Sequence, residues 1–519
     1  MSKKLFGLIR SLSPREKGYF KNTSFKHTLD NQNVYLSLFD VIDSMEEYDA
    51  LRLQAAFKKK KPLKEIAAYS NYLFTNILDA LKIYHARKTV DSELRQMLLD
   101  IELLYKKKLF GEARRIIVKA KKRATVYESF SLLLELINWE EKIATILYDP
   151  QLLNTFMHTS HFVRLEIADK LITSIHYNGL LSRINILSWQ ITEKVERNML
   201  EGIMKHPLMR DERKAISLAD KNVFYFIHSL YNFIKPKRDI KKSSKYIRKQ
   251  KELMENNIEW ASQAIYGYLG ILNNLMITCF QAFDLRELDH VTLDLKKMPE
   301  RFGNKINERD ENMRQVQILD AYFMRCILSA EFEKGLAKIR GKEAEWESIY
   351  VKIGKRTVLF FYGHILLMFF ATGDFKKALL WNNKILNGKG NDVYPSIYNS
   401  ALMWNIIIHF NMGNLELAGS LFSSFLRLFQ NKKEISKFEQ LFLNNMQEII
   451  HAKNDSETLL RRAFSVFRKE LIELKGLSGK LLEQNIIFFI AWADSHIDKK
   501  KFSEAFKKYL NHRHNLANS

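Results

Sequence analysis

Closely spaced histidines and glycine-rich turns are the places where this chain could do chemistry. His158 and His161 lie three residues apart, and His512 and His514 two apart, spacings at which two imidazoles can reach one metal ion. Neither pair has the Cys or carboxylate cluster beside it that would complete a four-coordinate shell, so surface or capping histidines are expected. Gly354-Lys355-Arg356-Thr357 ends like a phosphate-binding loop but lacks the upstream glycines that would wrap backbone N–H groups around a phosphate. Gly388-Lys389-Gly390-Asn391-Asp392 runs up to Pro395, so Asp392 reads as a helix cap, Pro395 as an opening-turn residue and the stretch as a linker. There is no His-Glu-x-x-His and no Gly-x-Ser-x-Gly phrase. The expectation is a non-enzymatic protein with no cofactor and no metal.

Charge offers a different kind of chemistry. The 519 residues carry 82 Lys and Arg against 59 Asp and Glu, a formal +23, which favours nucleic acid, a ribosome, an acidic protein or a membrane surface as company. The excess is uneven. From Lys235 to Lys251 nine of seventeen residues are basic: Lys235, Lys237, Arg238, Lys241, Lys242, Lys245, Arg248, Lys249 and Lys251, against Asp239 alone. A second cluster holds Lys106, Lys107, Lys108, Arg114, Arg115, Lys119, Lys121, Lys122 and Arg123. Such clusters either track phosphates or are solvated helix faces whose long stems cover apolar surface.

The elements that must position these residues read as helices. Only 7 Pro and 19 Gly occur, 46% of residues are apolar, and the Asn178-Gly179 and Asn387-Gly388 pairs do not sit between alternating strands. One phrase recurs: Gly373-Asp374-Phe375-Lys376-Lys377-Ala378 returns as Gly413-Asn414-Leu415-Glu416-Leu417-Ala418. A small residue closes one helix, a polar residue caps the next, an apolar residue packs back across the turn, and a small residue three positions on admits close approach. Further copies begin at Lys108, Phe283, Ala330, Asn454 and Lys500, so from Phe283 onward the intervals are 47, 43, 40, 41 and 46 residues. The phrase resembles the hairpin corner of the tetratricopeptide repeat, whose period is 34. The longer period implies longer helices. The resemblance implies an all-α fold, a right-handed superhelix of antiparallel helical hairpins, tetratricopeptide-like, and an adaptor that binds a peptide or partner protein.

By the same resemblance, the first-helix position fifteen residues before the corner Ala faces the concave surface. Counting back from Leu288, Gly335, Ala378, Ala418 and Leu459 gives Asn273, Asp320, Gly363, Met403 and Asn444, and four residues on Ile277, Met324, Leu367, Ile407 and Glu448. Asn273, Asp320, Met403 and Asn444 are therefore the candidate partner-groove residues. Lys235, Lys237, Arg238, Lys241, Lys242, Lys245, Arg248 and Lys249 are the candidate surface for an anionic partner, the basis of an alternative reading as a nucleic-acid or ribosome binder.

Residues 1–95 read as an N-terminal helical capping bundle, 96–256 as hairpins with degenerate repeats, and 257–519 as the solenoid. Ser13-Pro14-Arg15-Glu16 is a helix start with Ser as cap and Glu placed to close a capping box. The four lysines Lys58 to Lys61 make a basic turn before a Tyr- and Leu-rich helix from Glu65 to His85. A helix-turn-helix reader is the competing interpretation, but few basic residues stand where base contacts would begin. The apolar run Val358 to Ala371 is shorter than the roughly 20 residues a membrane span needs, and no span is expected. Cys279 and Cys326, 47 residues apart, read as reduced buried thiols at equivalent repeat positions. With Arg10 breaking a short N-terminal apolar run, a cytoplasmic location is expected.

Overall fold

The computed structural model describes residues 2–24, 34–57, 63–85, 89–148, 150–155, 160–190, 194–235, 238–342, 345–346, 355–388, 395–430, 436–477 and 483–518. Lys237, His158, the basic turn at 58–61, Gly354 and the 389–394 linker lie outside them. Every regular element among the described residues is a helix, and no strand occurs. None of these helices is long and apolar enough to cross a membrane.

Contacts divide the chain into residues 1–168 and 169–519. In the first unit, α1 (Ser2–Ser11), α2 (Pro14–Ser24), α3 (Val34–Asp43), α4 (Ala50–Phe57) and α5 (Leu63–His85) surround Leu5, Ile9, Phe20, Phe39, Leu73 and Ile77. The capping box forms as the sequence predicts: the Ser13 N–H donates to Glu16 Oε2 at 2.8 Å and the Glu16 N–H to Ser13 Oγ at 3.3 Å. Three longer helices, α6 (Val90–Lys106), α7 (Phe110–Val126) and α8 (Phe130–Leu147), pack consecutively, followed by α9 (Pro150–Thr155). Helix α10 (His161–Gln190) continues into the second unit.

The second unit goes on with α11 (Lys194–Lys205), α12 (Pro207–Arg210), α13 (Leu218–Ile234), α14 (Ile240–Asn256) and α15 (Ile258–Ala261). Helical pairs follow: α16 (Ile265–Ala282) with α17 (Leu285–Phe302), and α18 (Glu308–Leu328) with the short α19 (Phe332–Leu336). Then come α20 (Lys355–Ala371) with α21 (Phe375–Leu386), and α22 (Pro395–Asn411) with α23 (Leu415–Gln430). The last two pairs are α24 (Lys437–Asp455) with α25 (Glu457–Leu477), and α26 (Glu483–Ile497) with α27 (Phe502–Asn518). Successive helices pack against one another along this series.

The recurring phrase has a backbone cause. At Lys108, Phe283, Ala330, Gly373 and Gly413 the chain adopts left-handed φ values of 61°, 61°, 53°, 83° and 80°. The following N–H then reaches back five residues: Leu109 to Leu104 O, Asp284 to Cys279 O, Glu331 to Cys326 O, Asp374 to Phe369 O and Asn414 to His409 O, at 2.8 to 3.0 Å. The left-handed residue's own N–H bonds three residues back, as from Gly373 to Phe370 O at 3.0 Å. These paired bonds are a Schellman ending, which satisfies carbonyls the helix leaves orphaned. A non-glycine residue there costs about 1–2 kcal/mol, which two hydrogen bonds worth roughly 1 kcal/mol each offset. That balance explains why Lys, Phe and Ala appear where Gly would be cheapest.

The residue that donates the five-residue bond also begins the next helix: Asp284 Oδ1 receives the Glu287 N–H at 3.0 Å and Asp374 Oδ1 the Lys377 N–H at 3.1 Å. Four residues beyond each of these caps the residue is buried, at Ala113, Leu288, Gly335, Ala378 and Ala418. A Cβ added at Gly335 would overlap Met368 Sδ on α20. Phe375 packs back across its corner onto Phe370, ring centroids 5.3 Å apart. Cys279 and Cys326 occupy equivalent positions, each accepting the five-residue bond, and both are free and buried. Burial pushes the Cys279 thiol up to about 12.

Two corners differ from the expected register. At the one expected from Lys500 the left-handed residue is Lys499, φ 53°, and the Lys500 N–H reaches Ser495 O at 2.9 Å, one residue early, although Ala505 is buried as expected. At the other, helix α24 runs through Asn454 to Asp455 and Ser456 is the cap, with φ −158° and its Oγ accepting the Leu459 N–H at 3.2 Å. The buried residue four beyond it is Leu460, at 8% exposure, while Leu459 is 48% exposed. A further corner that the sequence phrase did not reveal sits at Glu128, φ 55°, with Ser129 N–H reaching Ala124 O at 2.9 Å.

Helices distant in sequence also meet. Phe370 of α20 lies edge-on to Phe502 of α27 at 5.3 Å, Trp404 of α22 to Phe489 of α26 at 5.4 Å, and Phe410 of α22 to Trp492 of α26 at 5.7 Å. One apolar core runs from Ile247 to Leu510. In an open solenoid each hairpin touches only its neighbours, so this array closes on itself through its first helices and through α27.

Replacing Gly373 or Gly413 by Ala should each lower unfolding free energy by about 1–2 kcal/mol, because Ala resists left-handed φ. Gly419→Ala, in the interior of α23 with nothing within 4 Å of the added Cβ, should instead raise it by up to about 1 kcal/mol. Urea denaturation checks both signs; shifts in one direction for all three would contradict the corner assignment.

Candidate binding surfaces

Counting back fifteen residues from the observed register moves one predicted groove residue. From Leu460 the position is Asn445, not Asn444, and its partner four residues on is Ile449, not Glu448. Asn445 is 6% exposed and donates to Leu441 O at 2.9 Å and to Glu470 Oε2 at 2.7 Å. Asn444 is exposed and accepts from Gln440 Nε2 at 2.8 Å. Met403 is fully buried in the core of α22. Asp320, 6% exposed, accepts the His364 Nδ1–H at 2.6 Å and so ties α18 to α20. Asn273 is half-buried on α16. Four residues on, Met324, Leu367, Ile407 and Ile449 are all buried, and Ile277 is half-buried. The line predicted to face an open groove is largely core, because the aromatic contacts between non-adjacent first helices fill that space.

The basic segment divides by face. On α14 the buried side holds Ser243, Ile247, Gln250 and Met254. Arg248 Nε bonds Glu287 at 2.9 Å, and Lys249 Nζ bonds Glu212 at 2.6 Å while lying 5.1 Å from the Tyr225 ring centroid. Lys251 sits between Asp294, at 2.9 Å, and Glu255, at 3.3 Å. Burial would push the Glu255 carboxyl up, but the Tyr268 hydroxyl, Lys251 and Arg301 together hold it below the usual range. These cations fasten α14 to its neighbours. Lys235 bonds Asn232 Oδ1 at 2.8 Å, and the Arg238 guanidinium lies 4.9 Å from the Phe233 ring centroid. Lys241, Lys242 and Lys245 are exposed and make no ion pair among the described residues.

In the first unit the second cluster behaves alike. Lys106 pairs with Glu102, Arg115 with Glu112, Lys121 with Glu140 and Arg123 with Glu93, whereas Lys107, Lys108, Lys119 and Lys122 stay exposed.

Two features had no clear signal in the sequence. One is a row of exposed apolar residues on one side of successive second helices: Leu380 on α21, Leu417 and Leu428 on α23, and Leu459 and Val466 on α25, between 43% and 55% exposed. Measured from their caps they fall on one flank of the buried stripe. The other is a cavity of about 610 Å³ bounded by four corners, near Gly373, Asn411, Ser456 and Lys499. On its wall His496 stacks on Phe464, centroids 4.4 Å apart, and its Nε2 lies 3.2 Å from Asn411 Oδ1. Burial, with a contribution from Lys453, pushes this imidazole down to about 4.

No protein-family model matches the chain, and none of the curated proteins is similar to it.

His496 carries a stability prediction. An unfolded histidine titrates near 6.5, so between about pH 6.5 and 4 the unfolded chain binds a proton that the folded one refuses. Stability from this group is present in full above pH 6.5 and falls as pH drops, by up to about 3 kcal/mol. His496→Gln should flatten the acid limb of stability against pH by about one proton, read from urea midpoints across that range; an unchanged slope would contradict the buried neutral imidazole.

Proposed function

We propose that the protein is a non-enzymatic cytoplasmic scaffold whose hairpins, arranged as a tetratricopeptide-like right-handed superhelix, bind a peptide or partner protein. The observation that carries this reading is the exposed row of Leu380, Leu417, Leu428, Leu459 and Val466, repeated over three hairpins. Fully burying an exposed Leu or Val is worth about 1.5–3 kcal/mol, and these half-exposed side chains have about half of that left to gain, so several at one interface supply substantial affinity. With Met403 and Asp320 inside the core, this outer flank is a better-supplied contact surface than the inner line. The second reading, an anionic partner such as nucleic acid or ribosome, is favoured by Lys241, Lys242 and Lys245, exposed within two turns of α14.

The combined Leu380→Ser, Leu417→Ser and Leu459→Ser variant should retain the parent's melting temperature, because exposed sites tolerate change, and lose the protein partners that the tagged parent holds after nuclease treatment. Retention of the same partners would remove this flank from the binding surface. For the second reading, RNA retention by the parent should fall steeply with salt and be lost on reversing Lys241, Lys242 and Lys245 to Glu. Retention unchanged by that reversal would deny the anionic partner its site.

A further inference from the structure

We propose that the exposed face of α10 pairs with the same helix of a second copy of this chain, running antiparallel to it. Within the second unit α10 is apolar on two sides. Tyr177, Leu180, Ile184 and Leu187 enter the core. On the far side Ile172, Ile175 and Ile186, between 52% and 68% exposed, stand in one row with exposed Gly179 and Ser182. A helix apolar on both faces is ordinarily covered on both. The row falls at 172, 175, 179, 182 and 186, the alternating spacing of three and four residues that marks a helix-pairing seam.

The side chains of the row say what covers it. In a twofold pair, residue i meets residue j and residue j meets residue i. About Tyr177 as centre, Ile172 and Ser182 lie five residues to either side, and Ile175 and Gly179 two. An antiparallel pair therefore sets Ile172 against the partner's Ser182 and Ile175 against the partner's Gly179, each large side chain opposite a small one. Each contact occurs twice. A parallel pair would set Gly179 on Gly179 and Ser182 on Ser182 and leave voids. Gly179 needs such a reason: it sits inside a helix, where glycine is unfavourable, and no atom outside its own helical turns comes within 4 Å of an added Cβ. Charge follows the same symmetry. Asp169 and Arg183 are exposed, hold the same place beside the seam two heptads apart, and make no ion pair among the described residues. Antiparallel pairing brings Asp169 to the partner's Arg183 at both ends, the flanking ion pair that sets orientation in such seams.

Sedimentation equilibrium of the full chain tests the pairing, in about 0.15 M NaCl so that repulsion between two basic molecules is screened. Four layers make a small interface, so a monomer–dimer equilibrium with a Kd of roughly 10–100 µM is expected. Ile175→Glu, at an exposed position, should keep the melting temperature and raise Kd more than about tenfold, because the carboxylate enters the seam twice. Asp169→Arg and Arg183→Asp should each weaken the dimer about threefold or more, and the two together in one chain should return Kd to within about twofold of the parent. A chain still monomeric at about 500 µM, a dimer indifferent to Ile175→Glu, or a doubly changed chain no tighter than either single variant would overturn the antiparallel pairing. The row shares no residue with the Leu380–Val466 flank, so its failure and the failure of the scaffold reading are separately visible.

Discussion

A helix ending next to another helix leaves carbonyls that neither can reach, and the rest of this structure depends on how they are satisfied. At Lys108, Glu128, Phe283, Ala330, Gly373 and Gly413 the left-handed residue turns two N–H groups back onto the helix that is ending, and the second of them belongs to the residue capping the helix that begins. One residue thus closes one helix and opens the next, which fixes the angle of the hairpin and the register of everything after it. Because backbone geometry sets the corner, its side chain is free to vary from Gly373 to Phe283 to Lys108. The residue four beyond the cap is less free, since it meets the first helices at close range, as Gly335 does against Met368.

Hairpins made this way need not form an open groove. Here the first helices present rings inward, and Phe370, Trp404 and Phe410 reach α26 and α27 rather than stopping at the next hairpin. The inner line that would hold a peptide in an open superhelix is consumed as core, with Met403 buried and Asp320 paired to His364. What remains accessible is the flank of the second helices and the mouth formed by the corners themselves. The first gathers one or two apolar side chains from each of three second helices, and the second gathers cations from two of its four corners.

Much of this was legible in the sequence. Gly373-Asp374-Phe375 and Gly413-Asn414-Leu415 announce a corner because glycine and a short capping side chain meet the two backbone demands, and Phe283-Asp284-Leu285 and Ala330-Glu331-Phe332 carry weaker copies of the phrase at a similar interval. Ser13 to Glu16 names its own capping box in four residues. The Asn454 corner misled by one residue because Asn454, Asp455 and Ser456 can all cap, and only packing selects Ser456. Glu128 stayed hidden because nothing about glutamate signals a left-handed φ. The basic segment looked like one uniform surface because the partners of Lys249, Arg248 and Lys251 lie 37 to 43 residues away. Ring contacts such as Trp404 with Phe489 depend on side-chain direction across the core, which linear spacing does not fix.

Closure of the array is the central claim, and native-state hydrogen exchange along a denaturant series measures it. Amides in α20, α22, α24 and α26 should exchange through one shared opening, with the same free energy and denaturant dependence, because their rings form one core. Free energies that step down hairpin by hairpin toward α27, as an open solenoid with neighbour-only contacts would give, would contradict it.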